Sequence, residues 1–225
     1  MSDIRRNSFA ARHLDPASHM GEILFGLIMT LTFTLAAGIV IQEEGREGAR
    51  EMLIGILGCN LAWGIIDGVL YVLGQVFERG RLRRIGVHVR QAATEAEARQ
   101  VVADEFDASL GPVSDEPARR AFYGAILARV RSASPAPNHV RREDVMGGLA
   151  AGWVVFACSF PAVLPFLFLD DPHRALRVSN VILIALLFFV GWRAARHTLV
   201  KPWLAGLAFM LVGVLLVALA IPLGG

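Results

Sequence analysis

GCNLAWGIIDGVLYVLG, residues 58–74, is apolar along most of its length and carries an aspartate, Asp67, at its centre. The rest of the chain decides whether this stretch lies in water or in lipid. Of the 225 residues, 55% are hydrophobic, above the usual share for a globular domain, and the mean hydropathy is +0.52. Five apolar runs, at 21–42, 52–77, 146–169, 178–192 and 203–223, approach or exceed the roughly 20 residues that a bilayer-crossing helix needs. The pattern predicts an all-α integral membrane protein with five transmembrane helices and a cytoplasmic helical insertion between helices 2 and 3. Basic residues before the first run, and Ala36, Ala37 and Gly38 near its end, resemble a signal peptide. The run is longer than a signal core of about 7–15 residues, and four more follow, so it reads as a span.

The basic residues predict the orientation, because arginine and lysine are retained on the cytoplasmic side. Eighteen of the 22 lie in the N-terminal arm, the 78–145 segment and the link before the last run. Arg46, Arg50, Arg174 and Arg177 make up the remainder, and the acidic QEEGREGARE (42–51) falls on their side. The expected order is a cytoplasmic arm (1–20), helices 1–2 (21–77), a cytoplasmic helical hairpin (78–145) and helices 3–5 (146–225). The N-terminus is inside and the C-terminus outside. Twenty-one arginines to one lysine read as the codon bias of a GC-rich bacterium, and if the source is bacterial the expected location is the inner membrane.

Within the insertion, RGRLRRIGVHVRQAATEAEARQVVADEF (79–106) is rich in helix formers, and Ile85, Val89, Ala92 and Ala96 recur at helical spacing. This predicts one helix running on from the second span. A break at SLGPVSDEP (109–117) precedes a second helix with Ser114 as cap, Pro117 in its first turn and Phe122, Ile126 and Val130 as its apolar stripe. The prolines of SASPAPNH (132–139) end it. RGRLRR suits anionic lipid headgroups. Interleaved acids and the lack of an aromatic platform argue against nucleic acid. Glu95, Glu97, Asp104, Glu105 and Asp107 are hard oxygen donors that suit a divalent ion, and a solvated helix face explains them as well.

An ionised side chain deep in a bilayer costs at least about 2.5 kcal/mol on insertion scales, so Asp67 needs a partner or water. Helical spacing puts Asn60, Trp63, Gly64, Asp67 and Tyr71 on one side, where Gly64 and Gly68 permit close helix approach. The first span offers a matching stripe of Glu22, Gly26, Met29, Thr30, Thr34 and Gly38. Met29 is either a soft ligand or ordinary filling, and Asp67 is either an ion or proton site or a hydrogen-bonded structural aspartate. In the third span SFPAVLPF (159–166), prolines free backbone carbonyls near Ser159. Cys59 and Cys158 both fall inside spans and imply no disulfide framework. No nucleotide loop, haem pair or catalytic triad is present in the sequence, and no enzyme activity is expected.

EILFGLIMTLTFTLAAG (22–38), the two spans before a helical insertion, and the ending VILIALLFFVGWRAARHTLVKPWLAGLAFMLVGVLLVALAIPLG (181–224) together resemble the vacuolar iron transporter family, also called VIT or CCC-type. The resemblance implies a dimeric, proton-coupled carrier of Fe²⁺ or Mn²⁺ as transported substrate, with no permanently bound cofactor and a metal path between the first two helices. The partners it implies are the lipid bilayer, a second copy of the chain and the metal ion. Two departures stand out. Where the family's first helix carries an aspartate followed by glycine, FGLIMTL holds Met29 and Thr30, and EAEARQVVADEFD does not repeat the family's E-x-x-E spacing. Asp67 can replace the lost acid, with Glu22 at the cytoplasmic mouth, Met29 as a soft ligand and Asn60, Tyr71 and Thr30 along the path. Two readings follow: a metal exporter, or a non-transporting relative that binds a partner through its hairpin.

Overall fold

A computed structural model describes residues 9–36, 41, 43–110, 112, 114–132 and 138–220. Among them every regular element is helical: α1 (Phe9–His13), α2 (Pro16–Ala36), α3 (Arg46–Gln91), α4 (Glu95–Leu110), α5 (Glu116–Ser132), α6 (Arg142–Ala157), α7 (Phe160–Phe168), α8 (Pro172–Ala194) and α9 (Pro202–Ala220), with a 3₁₀ turn at Ala195–His197. Five segments are long and apolar enough to cross a membrane: Pro16–Ala36, Arg46–Gln91, Arg142–Phe168, Pro172–Ala194 and Pro202–Leu219. On α3 the apolar residues Ile54, Leu61, Ile65, Val69 and Leu73 are all exposed. Such a row of large apolar side chains suits hydrocarbon and would be a liability in water. The chain divides into two compact units, Met1–Val72 with Arg142–Gly225, and Leu73–Arg141.

In the first unit Leu27, Leu31 and Leu35 of α2 meet Cys158, Ala162, Leu183 and Leu187. Glycines set the closest approach. A Cβ on Gly64 would stand 2.6 Å from the Gly152 carbonyl oxygen, and one on Gly68 2.8 Å from that of Gly148. The reciprocal distances, from Gly152 to the Gly64 oxygen and from Gly148 to the Gly68 oxygen, are 2.4 and 2.5 Å. Two four-residue glycine pairs, one on α3 and one on α6, therefore bring the backbones together where any side chain would hold them apart. Gly26 likewise seats Cys158, whose Cβ would lie 2.8 Å from an added Cβ. The small-residue stripe of the first span is thus used inside the chain at Gly26, Thr30 and Thr34, while Gly38 lies outside the described residues.

Helix ends depart from the sequence reading for local reasons. The first span starts at Pro16, five residues earlier than expected, because Asp15 caps it by accepting from the Ala17 and Ser18 N–H groups at 2.9 and 3.0 Å. The short fourth run gains length the same way: Asp171 accepts from the His173 and Arg174 N–H groups, and Pro172 opens the helix. The third span is interrupted between α6 and α7, where Ser159 N–H turns back to the Phe156 carbonyl at 3.1 Å just before Pro161. In the described part of the N-terminal arm, from Phe9 on, Ala10 and Leu14 bury against Ala150, Ala151 and Val154.

In the second unit α3 continues beyond the second span, as expected, but stops at Gln91 rather than running to residue 106. Thr94 Oγ1 accepts from the Glu97 N–H at 3.1 Å and the Glu97 carboxylate accepts from the Ala93 N–H at 2.8 Å, so a capping box opens α4 there. The turn rotates the buried face: Val89, Ala98, Val102, Tyr123 and Leu127 form the core, with Ile85, Ala92, Ile126 and Val130 against it. Ala96 is exposed. Two expectations for the second insertion helix are corrected. Asp115, not Ser114, caps α5 by accepting from the Ala118 N–H at 2.9 Å, while the Ser114 hydroxyl donates to the Leu110 carbonyl. Phe122 is 43% exposed and Tyr123 takes the buried place.

Candidate functional site

The candidate site is a seam of polar groups along one side of α2, all within the first unit. Glu22 of α2 and Asp67 of α3 are within electrostatic range of each other. Asp67 Oδ2 is buried and has no hydrogen-bond partner. A buried carboxylate oxygen without a donor is costly to leave so, which makes this atom an acceptor in need of a proton, a water or a cation. Farther along α2, Asn60 is 1% exposed and donates through Nδ2 to Thr30 Oγ1 at 2.8 Å and to the Val155 carbonyl at 3.2 Å. The Thr30 hydroxyl in turn donates to the Gly26 carbonyl at 2.7 Å. Asn60 Oδ1 is also buried without a donor. One turn on, the Thr34 hydroxyl is shared between the Leu31 carbonyl (2.7 Å) and Asn180 Oδ1 of α8 (2.8 Å). Beside it Ser179 is fully buried, and its Oγ lacks a partner.

These positions follow from local sequence. Glu22, Gly26, Thr30 and Thr34 recur every fourth residue, which keeps them on one face of α2. Asn60 reaches Val155 because that carbonyl sits in the last turn of α6, where the helix breaks before Pro161. A Cys158 N–H at 3.2 Å also reaches Val155, in place of the regular bond from residue 159. Near Ser159, then, the Val155 carbonyl accepts both from the Cys158 N–H and from Asn60 of the second span. The Ser159 hydroxyl donates to the Phe156 carbonyl at 2.6 Å.

Of the sequence-predicted path residues, the structure joins Thr30 to Asn60 by a hydrogen bond and leaves Glu22 within electrostatic range of Asp67. Tyr71 does not join Asn60: its hydroxyl donates to the His13 carbonyl at 3.3 Å, and its ring lies over Gly147, where an added Cβ would be 2.2 Å from Cε1. Tyr71 is also within electrostatic range of Asp15 and Asp144. Met29 is half-buried. Trp63 is 41% exposed and meets Phe25 edge to face at 5.8 Å. Asp144, 5% exposed at the start of α6, is an acid that the sequence reading passed over. Its signal was weak, an aspartate at the mouth of an apolar run beside the charged Arg141, Arg142 and Glu143.

The acids of the insertion each have a protein neighbour. Glu95 accepts from Arg99 at 2.7 Å, and that bond holds its carboxyl below the usual range. Glu97 caps α4, Asp104 accepts from Gln100 at 2.6 Å, Glu105 pairs with Arg81, and Asp107 accepts from the Tyr123 hydroxyl. Among the described residues no three His, Cys, Asp or Glu side chains gather as a metal group.

Among the described residues, five segments long and apolar enough to cross a bilayer, with large apolar side chains exposed, mark a multi-pass membrane protein. The family model "VIT family" matches residues 83–225, more than half of the chain, and the chain belongs to the VIT family, a family of membrane metal-ion transporters. The matched stretch contains the quoted ending and the insertion acids, whereas Glu22, Asn60 and Asp67 precede it. Among curated proteins none matches the chain.

Proposed function

We propose that this protein carries a divalent metal cation, Fe²⁺ or Mn²⁺, out of the cytoplasm in exchange for protons, with Glu22 and Asp67 as the acids that receive it. The observation that carries this reading is Asp67 Oδ2, buried in the second span and unpartnered among the described residues, with Glu22 of the first span within electrostatic range. A divalent ion sheds hydration only where negative oxygen replaces it, and hard carboxylates are the ligands that do so. Two like charges brought together in a poorly solvated place favour either bound protons or a bound dication. Exchange of one for the other is the elementary step of a proton-coupled carrier.

The neutral oxygens beyond this pair, at Thr30, Asn60, Thr34 and Asn180, provide weaker donors along the seam, from which an ion can leave more easily than from carboxylates. In this reading the Arg-rich arm and the 78–145 segment face the cytoplasm, so that Glu22, near the start of α2, stands at the inner mouth. The chain works as a homodimer in a bacterial inner membrane.

The test is Fe²⁺ and Mn²⁺ flux into proteoliposomes of known protein orientation under an imposed pH gradient. Wild type, Asp67→Asn, Glu22→Gln and empty vesicles are compared. Wild-type flux should require protein and be lost in Asp67→Asn, and the pH gradient should drive it. Wild-type flux equal to that of empty vesicles, with the protein shown to be folded, overturns the carrier reading. It would then favour a VIT-family protein that binds a partner through its hairpin.

A further inference from the structure

The part of α3 that leaves the second span carries Gly74, Phe77, Gly80, Arg81 and Arg84 at spacings of three and four, so these residues share one helix face. With Asn138, from the link that leads back to the third span, they line an open cleft of about 510 Å³ within the second unit. The volume is that of a small-molecule site. Asn138 forms a wall over Gly80, with Nδ2 3.1 Å from where a Cβ would stand, and the Arg79 guanidinium fastens the same link by donating to the His139 carbonyl at 3.1 Å.

The two arginines of the lining differ. Arg81 is occupied: it donates to both Glu78 oxygens, at 2.6 and 3.0 Å, and pairs with Glu105. Arg84 is exposed and has no hydrogen-bond or ion-pair partner among the described residues. The lining thus holds two cations, Arg81 and Arg84, against one anion, Glu78. An unspent guanidinium beside a side-chain amide is a matched donor set for a phosphate group.

The apolar half of the cleft narrows the choice of phosphate. Phe77 is 71% exposed and closes the 52–77 apolar run, and Val76 lines the cleft with it. A soluble phosphate has no use for that surface, whereas an acyl chain covers it. We propose that this cleft is a binding site for one anionic phospholipid, its phosphodiester held by Arg84 and Asn138 and its glycerol and upper acyl carbons laid along Gly74 and Phe77. The inference does not depend on metal transport, only on the chain's place in a membrane.

The site is tested on the full-length protein by native mass spectrometry in detergent, with phosphatidylglycerol or phosphatidylcholine added. Wild type should retain phosphatidylglycerol in preference to phosphatidylcholine, and millimolar inorganic phosphate should not displace it. Arg84→Gln should weaken phosphatidylglycerol binding about fivefold, the effect of one basic residue near an anionic surface. Arg83→Gln, one residue away and off the cleft face, should leave binding unchanged. Gly74→Leu supplies a second variant: nothing lies within 4 Å of a Cβ there, so the side chain enters the cleft without a clash and should exclude the lipid. Equal loss in Arg83→Gln and Arg84→Gln would mean diffuse attraction and would overturn the site, as would equal retention of both lipids or unaltered binding in Gly74→Leu. Displacement by inorganic phosphate would show an anion site without lipid selectivity and would also overturn it.

Discussion

Replacing Gly64 with alanine puts a methyl group 2.6 Å from the Gly152 carbonyl oxygen. That is roughly 0.9 Å short of the ~3.5 Å at which a carbon contact becomes comfortable. The obstacle is backbone on both sides, so no side chain can swing away, and α3 and α6 must separate by most of that distance. Separation of this size forfeits about a quarter to a half of the dispersion energy of each contact along the seam, and overpacking of a well-filled interface typically costs about 1–3 kcal/mol. In lipid, helix association relies on such contacts, and the helix propensity gained with alanine, about 1 kcal/mol, offsets only part of the loss. Gly58→Ala is the control, since nothing lies within 4 Å of a Cβ at Gly58 and the substitution adds helix propensity. Unfolding of both variants in mixed micelles, followed by circular dichroism, should show Gly64→Ala less stable than wild type by about 1–3 kcal/mol, with Gly58→Ala unchanged or more stable. Equal stability of the two variants would refute the close contact of α3 with α6.

Three further outcomes follow from the same geometry. Asn60→Leu removes the donor that joins α2, α3 and the Val155 carbonyl, and leaving the buried Thr30 Oγ1 without that donor should cost about 1–3 kcal/mol in the same assay; an unchanged midpoint would disprove the bridge. Thr94→Ala removes the cap of α4 and should lower stability by about 1 kcal/mol, while Thr94→Ser should retain most of it. Asp15 is held below the usual carboxylate range by the Ser18 hydroxyl, then by the Ser18 and Ala17 N–H groups. Because its folded pKa is depressed, its contribution is complete above the ordinary value of 3.8 and is lost as pH falls below it. Unfolding at neutral pH should therefore separate wild type from Asp15→Ala, and the gap should shrink in acid; a constant gap would mean that the carboxylate is not the cap.

The membrane class, the five spans and the helical nature of the insertion were legible in the sequence, because each depends only on the length and hydropathy of a continuous run. Glu22, Asn60 and Asp67 were legible too: a polar residue inside such a run is conspicuous whatever it touches. Local chemistry that was present but easily passed over decided the boundaries. Asp15–Pro16, Asp171–Pro172 and the Thr94–Glu97 box are all written in the chain, and they moved the helix ends by several residues or broke a helix in two.

The pairing of faces was not legible, because helical spacing shows which residues share a side and is silent on which helix they meet. Gly64 and Gly68 turned to the third span while Asn60, on the same helix, engaged Thr30 of the first. Tyr71 was placed on the Asp67 side by its spacing, yet its hydroxyl goes to His13 and its ring to Gly147. Thr34 found Asn180, 146 residues away, and Asp144 came to rest near Tyr71. Period and composition are properties of one helix, and they determined which segments cross and which carry polar groups. Which polar groups meet depends on how closely several backbones approach, and only the tertiary structure decides that.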